Sequence, residues 1–198
     1  MKKGESLLED LIVSKVRVKI LKLFFLNPED IYHVRAIVRE INEEINAVRR
    51  ELKNLEKAGL MSKEPRGNRL YYGLKKDYPL YYDLLSLINK VFGIGGLILD
   101  NKNKLGKIKY AMVTGSYVRR KKKERKEDVD LLMVGDIVLA ELNLLIRQAE
   151  SEGLGEINYA PMTDEEFNFR KTRSDPFLTS VFKRSRVMII GDEEEMVS

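Results

Sequence analysis

The sequence predicts an α+β chain in two parts: a helical module closed by a hairpin, then an α/β domain with a mixed sheet. Three observations carry this. Residues 14–58 place apolar side chains three and four apart in successive segments, the period of helices. Residues 60–74 are two short strand-like runs around Pro65-Arg66-Gly67-Asn68, which is hairpin-turn chemistry. Beyond residue 97, short apolar runs alternate with helical patterns.

Each element follows in order. Residues 14–26 read as a helix with Val16, Ile20, Leu23 and Phe24 on one stripe, Ser14 as N-cap and Asn27-Pro28 as its stop. Residues 31–34 suit a short strand. Residues 35–41 make a second helix with Ile37, Val38 and Ile41 inward. A turn at Asn42-Glu43 leads to a third helix, 44–58, whose apolar set is Ile45, Val48, Leu52 and Leu55. Gly59 ends it as the residue that takes positive φ. Strands at 60–64 and 69–74 follow. Three helices and a basic hairpin in this order are the layout of a winged helix-turn-helix.

Residues 79–92 read as an amphipathic helix with Leu80, Leu84, Leu87, Ile88 and Val91 as its stripe, suited to linking domains or to pairing with its own copy. Gly93, Gly95 and Gly96 then loosen the chain. The domain reading is therefore 1–76, a linker helix over 77–96, and 97–198. In the last part, 108–113, 129–134, 156–160 and 187–190 suit strands. Residues 137–151 suit a helix with Val138, Leu142, Leu145 and Ile146 inward, and Thr163 opens a helix over 163–171.

Composition excludes several chemistries. The 198 residues contain no cysteine, so disulfides, cysteine zinc sites and thiol catalysis are out. A single histidine, His33, rules out a histidine-rich metal site within one chain. No stretch reads as a membrane span or a signal peptide, and the expectation is a cytoplasmic protein with no membrane partner. One glutamine, no cysteine and 34% charged residues fit the proteome of a thermophile.

Charge is uneven. Residues 1–76 hold 17 Lys and Arg against 11 Asp and Glu, so they exceed the whole-chain net charge of +5 by themselves. A basic module beside a near-neutral one points to a polyanion, here double-stranded DNA. On the third helix, Asn46, Arg49 and Arg50 lie off the buried stripe and are the base-contact candidates, since Asn reads adenine and Arg guanine edges. Lys53 and Lys57 suit phosphates. Arg66, Asn68 and Arg69 at the hairpin tip suit the minor groove or the backbone. The passage AVRRELKNLEKAGLMSKEPRGNRLYY resembles the winged-helix domains of ArsR- and MarR-like regulators. That resemblance implies a homodimer on a palindromic DNA site.

A second motif begins at Gly115-Ser116, passes through a loop dense with positive charge, and ends at Asp128-Val129-Asp130. On a strand, Asp128 and Asp130 would face one way about 7 Å apart. Paired carboxylates there can bind Mg²⁺, which in turn holds phosphates. TGSYVRRKKKERKEDVDLLMVG resembles the signature of the minimal nucleotidyltransferase superfamily, Gly-Ser followed at about ten residues by Asp-x-Asp. The resemblance implies that Gly115 and Ser116 hold a nucleoside triphosphate and that Asp128 and Asp130 hold Mg²⁺, with a third carboxylate on a later strand. Two departures stand out. Val118-Arg119-Arg120 and Glu127 occupy positions where the family carries Ala-Arg-Gly and Ser. Asn158 occupies the position of the third carboxylate, with Glu156 as the nearby acid. EINYAPMTDEEF, DPFLTSVF and VMIIGD resemble a subgroup of predicted regulators that fuse a winged helix to a nucleotidyltransferase-like domain.

The expectation is a transcriptional regulator whose second domain is a degenerate nucleotidyltransferase-like sensor or dimerisation module and not an enzyme. The alternative is an active Mg²⁺-dependent nucleotidyltransferase that uses the winged helix to dock.

Overall fold

The computed structural model describes residues 8, 12–120 and 128–198. The chain divides into two compact units, Met1–Val91 and Phe92–Ser198.

In the first unit, helix α1 spans Lys15–Leu26. The Ser14 hydroxyl caps it by accepting the Arg17 N–H at 3.3 Å. Strand β1 is Tyr32–His33 and helix α2 is Val34–Ile41. His33 Nδ1 accepts the Ala36 N–H at 3.2 Å, so the one histidine is a helix cap. Asn42 takes φ 50 in the turn to helix α3, Ile45–Lys57. Gly59, at φ 85, lets the chain reverse into strand β2, Met61–Arg66, and strand β3, Arg69–Leu74. The hairpin is tighter than the sequence suggests. Pro65 pairs with Leu70 and Arg66 with Arg69, so only Gly67-Asn68 form the loop. All pairs are antiparallel, in the order β1-β3-β2.

Helix α1 buries Val18, Ile20, Leu21, Phe24 and Phe25, a wider face than the predicted stripe, with Val16 and Leu23 only half-buried. The reason is that α1 is packed on two sides. One meets α2 and α3, and the other meets helix α4, Tyr81–Val91. Helix α4 therefore belongs to the first unit and is not a free linker. Phe25 and Tyr81 stack at 5.7 Å, and the Asn89 amide donates to the Phe25 carbonyl at 3.5 Å. The face that α4 turns inward shares only Ile88 with the predicted stripe. Tyr81, Leu85, Ile88 and Asn89 are buried, whereas Leu80 and Leu87 of the predicted stripe are 53% and 39% exposed.

The second unit opens with helix α5, Gly93–Asp100; Gly93 takes φ 60 at its start, while Gly95 and Gly96, also expected to loosen the chain, are helical and buried. Tyr81–Asp100 together have the length and composition to cross a membrane, but a little over half of that stretch is buried in the protein, and Gly93 at φ 60 interrupts it. Next come strand β4 (Gly106–Thr114), the single turn α6 (Gly115–Val118), strand β5 (Leu131–Ile137) and helix α7 (Leu139–Ala149). Helix α7 runs into a π-helical turn, Glu150–Leu154. Strand β6 (Tyr159–Met162), helices α8 (Asp164–Thr172) and α9 (Pro176–Phe182), strand β7 (Arg186–Ile190) and helix α10 (Glu193–Val197) complete it.

The sheet order is β6-β5-β4-β7, with β5 and β6 parallel and the other pairs antiparallel. This is the mixed sheet expected of the α+β chain. Its core joins Tyr110, Met112, Leu132 and Val134 of the sheet to Phe167 and Leu178 of the helices. Val138, expected inward, is 45% exposed because it sits before α7 as its N-cap.

Candidate nucleic-acid interface and paired-aspartate cleft

Helix α3 divides its residues between two faces. Val48, Leu52 and Leu55 are buried, while Asn46, Arg49, Arg50, Lys53 and Lys57 are exposed. At 3.6 residues per turn, Asn46, Arg50, Lys53 and Lys57 form one solvent stripe, with Arg49 at its edge. Glu51 is the exception among the charged residues. It is buried, accepting the Ser14 hydroxyl at 3.0 Å and the Arg17 Nε–H at 2.9 Å. Burial alone would raise its carboxyl pKa, but those hydrogen bonds and the Arg17 charge outweigh it and hold the group below the usual carboxylate range. Glu51 thus locks α3 against the start of α1 and sets which way the cationic stripe points.

A groove of about 860 Å³ lies between α3, the hairpin and the β1–α2 corner. Arg49, Lys53 and Lys57 line it from α3, and Asn68 and Arg69 line it from the hairpin. Two residues the sequence reading passed over, His33 and Arg35, close its third side. Lys63 also lines it but is paired with Glu56 at 2.6 Å. Arg35, Arg49, Lys53, Lys57 and Arg69 are exposed and form no ion pair among the described residues. Glu56 also lines the cleft but is taken up by Lys63, so the five cations outnumber the carboxylates there and hold a positive potential.

The remaining candidates are placed differently. Asn46 and Arg50 are exposed on α3 but do not line the groove. Arg66 is engaged by Glu64 through two hydrogen bonds, at 3.1 and 3.0 Å, and stacks on Tyr71 at 5.5 Å. Its guanidinium holds the Glu64 carboxyl below the usual range. The N-terminus of α3 is also occupied, because the Glu44 carboxylate accepts the Asn46 and Ala47 N–H groups at 2.8 and 2.9 Å. Those bonds lower its pKa and keep a negative charge at that end. The cationic surface available to an anion is therefore the middle and C-terminal half of α3 together with Arg35 and the hairpin.

In the second unit the antiparallel β4–β5 pair brings the end of β4 beside the start of β5, and the parallel β5–β6 pair brings in Asn158. Gly115, Ser116, Asp128, Asp130 and Asn158 do converge. Both carboxylates precede β5, Asp130 at a bend, so they do not share one face of a strand as the sequence suggested. Asp130 is 2% exposed, and its Oδ2 accepts the Asn158 N–H at 2.9 Å. Asp128 accepts from Arg184 at 2.8 Å, and its backbone carbonyl accepts the Asn158 amide at 3.1 Å. The Gly115 N–H donates to the Ser185 carbonyl at 2.6 Å, and a Cβ there would lie 2.2 Å from the Ser185 hydroxyl. Glycine is needed for the approach of the Ser185 segment, and that segment takes the amide expected to hold a phosphate. Ser116 Oγ lies 3.2 Å from Thr114 Oγ1.

The cleft beside them is about 160 Å³, lined by Ser116, Tyr117, Arg120, Asp130 and Glu156 among others. Burial pushes the Tyr117 phenol up to about 12, so it stays protonated and donates to the Leu154 carbonyl at 3.3 Å. Small-molecule pockets run from about 300 Å³ upward. No protein-family model, curated protein or solved structure matches the chain.

Among the described residues no group of three His, Asp, Glu or Cys side chains is placed to hold a metal. One Asp128 oxygen is paired with Arg184, one Asp130 oxygen accepts a backbone N–H, and Asn158 brings a neutral amide, so the set carries less negative charge than three carboxylates would offer a paired-Mg²⁺ centre. Most of the positively charged loop between Ser116 and Asp128 lies outside the described residues.

Proposed function

We propose that this chain is a cytoplasmic DNA-binding transcriptional regulator that acts as a homodimer. In this reading the first unit is a winged helix-turn-helix, with α3 the recognition helix and the β2–β3 hairpin the wing. The second unit is a degenerate nucleotidyltransferase-like module that modulates DNA binding and catalyses nothing. The observation that carries the reading is the groove of Arg35, Arg49, Lys53, Lys57 and Arg69, exposed and without ion pairs among the described residues. A duplex supplies the missing anions, and release of its counterions drives binding.

The groove divides the roles. Arg49 is the base-contact residue best supported, since it sits where α3 and the cleft meet. Lys53, Lys57, Arg35 and Arg69 contact phosphates. Nucleotidyl transfer loses support from Asn158, from the Arg184–Asp128 pair and from the engaged Gly115 amide. A nucleotide remains a candidate effector.

The test is binding to duplex DNA from upstream of the protein's own coding sequence, followed by fluorescence anisotropy at several salt concentrations. Affinity is expected to fall steeply with salt, by roughly 0.9 log units per log unit of salt for each phosphate contacted. Binding that ignores salt, or that survives loss of Arg49 and Lys53 together, contradicts the assignment.

A further inference from the structure

Helix α4 carries two apolar faces, and only one is used within its unit. Tyr81, Leu85 and Ile88 are buried against the body of the first unit. Leu84, Leu87 and Val91 lie about 100° away around the same helix, and Leu80, in the turn just before it, continues their spacing. Their spacing is four, three, four, the heptad seam of paired helices. Leu80 and Leu87 are 53% and 39% exposed, and Leu84 and Val91 are half-buried.

We propose that this seam is the surface on which a second copy of the same chain docks, its α4 running antiparallel to the first across a two-fold axis. The proposal deepens the dimer reading above by naming its surface. Charge complementarity selects the occupant and the direction. The seam is edged by Asp83 and Lys90, both exposed and in no ion pair among the described residues. Seven residues apart, they lie about 10 Å from each other along their own helix and cannot pair within it. Both occupy the flank that faces its own counterpart when two such helices pack antiparallel. A two-fold axis between Leu84 and Leu87 sets Asp83 of each helix beside Lys90 of the other. In a parallel pair the two copies of this flank lie on opposite sides of the seam, Asp83 faces the Ile88 flank of the other copy, and neither charge meets its opposite. An isologous contact satisfies each charge with its opposite, twice per dimer.

The paired helices are each about 16 Å long. A contact of that length falls short of a standard interface of about 1,600 Å², so the dimer dissociates at micromolar concentration. Sedimentation equilibrium of the full chain across that range tests this. The wild type is expected to shift from monomer to dimer, and Leu87→Glu to weaken the dimer about tenfold or more. Circular dichroism melting controls for folding, and an exposed Leu87 leaves it unchanged. Asp83→Lys and Lys90→Asp each weaken the dimer several-fold by opposing like charges. The double reversal restores it, because each new charge again meets its opposite on the other copy. A monomer at all concentrations overturns the proposal. So does a dimer indifferent to Leu87→Glu, or a double reversal no better than the singles. Anisotropy on the same samples separates this from the DNA reading: a dimer that responds as described but leaves DNA unbound keeps the surface and removes the regulator.

Discussion

The two units of this chain hold comparable sets of charged residues and use them in opposite ways. On α3 and its hairpin, Arg49, Lys53, Lys57 and Arg69 point to solvent around an open groove. In the second unit, Asp128, Asp130 and the Gly115 amide are occupied by Arg184, the Asn158 N–H and the Ser185 carbonyl. The first set has its binding capacity left over after folding. The second spends its capacity on the fold. A motif's residue types tell which chemistry is within reach, and the partners those residues have already taken tell whether it is still on offer.

Four variants break or sharpen that contrast, in falling order of expected effect. Replacing Arg49 and Lys53 together by Ala removes two groove cations and should weaken duplex binding about a hundredfold, at roughly 1–3 kcal/mol for the Arg contact and less for the Lys. The melting temperature should hold, because both side chains are exposed. Asp130→Ala should do the reverse. It leaves the Asn158 N–H without its acceptor in a buried place and costs about 1–3 kcal/mol, read as a lower melting temperature. If Asp130→Ala raises the melting temperature instead, the carboxylate is being held for a ligand, and the contrast fails.

Glu51→Gln tests the lock behind the groove. The folded-state pKa of Glu51 is depressed, so its contribution is present above the ordinary carboxylate value of 4.5 and is lost as pH falls through the folded value. The wild type should therefore lose stability below about pH 4.5 more steeply than Glu51→Gln, measured by thermal melts from neutral to acid pH. Arg66→Ala should have the smallest effect, less than about threefold on DNA affinity, because Glu64 already offsets its charge.

Much of the first unit is legible in the sequence because local rules and burial agree there. Ser14 caps, Gly59 reverses the chain, and Val48, Leu52 and Leu55 repeat with the helix period. Helix α4 reads wrongly for a definable reason. It is apolar on two faces, and the predicted stripe follows Leu80, Leu84 and Leu87 where Tyr81 and Leu85 pack on α1, with only Ile88 common to the stripe and the fully buried face. Periodicity finds both faces and cannot rank them. Arg35 and His33 belong to the groove only because β1 pairs with β3 and brings the α2 corner beside the hairpin. The cleft of the second unit is legible as far as which residues meet. Asn158 does arrive where a third carboxylate was sought. The neutralising Arg184 is 56 residues from Asp128 and carries no local signal.

In the proposed function the groove cations of the first unit serve a polyanion. The most direct measurement is the salt dependence of duplex-DNA affinity for the wild type and for single Ala variants at Arg35, Arg49, Lys53, Lys57 and Arg69. A log–log slope several units steep, made shallower by about one unit with each of the phosphate-contacting Arg35, Lys53, Lys57 and Arg69 removed, and a loss of affinity and sequence preference without Arg49, is the predicted result. A slope near zero, or one that no groove variant changes, would contradict it.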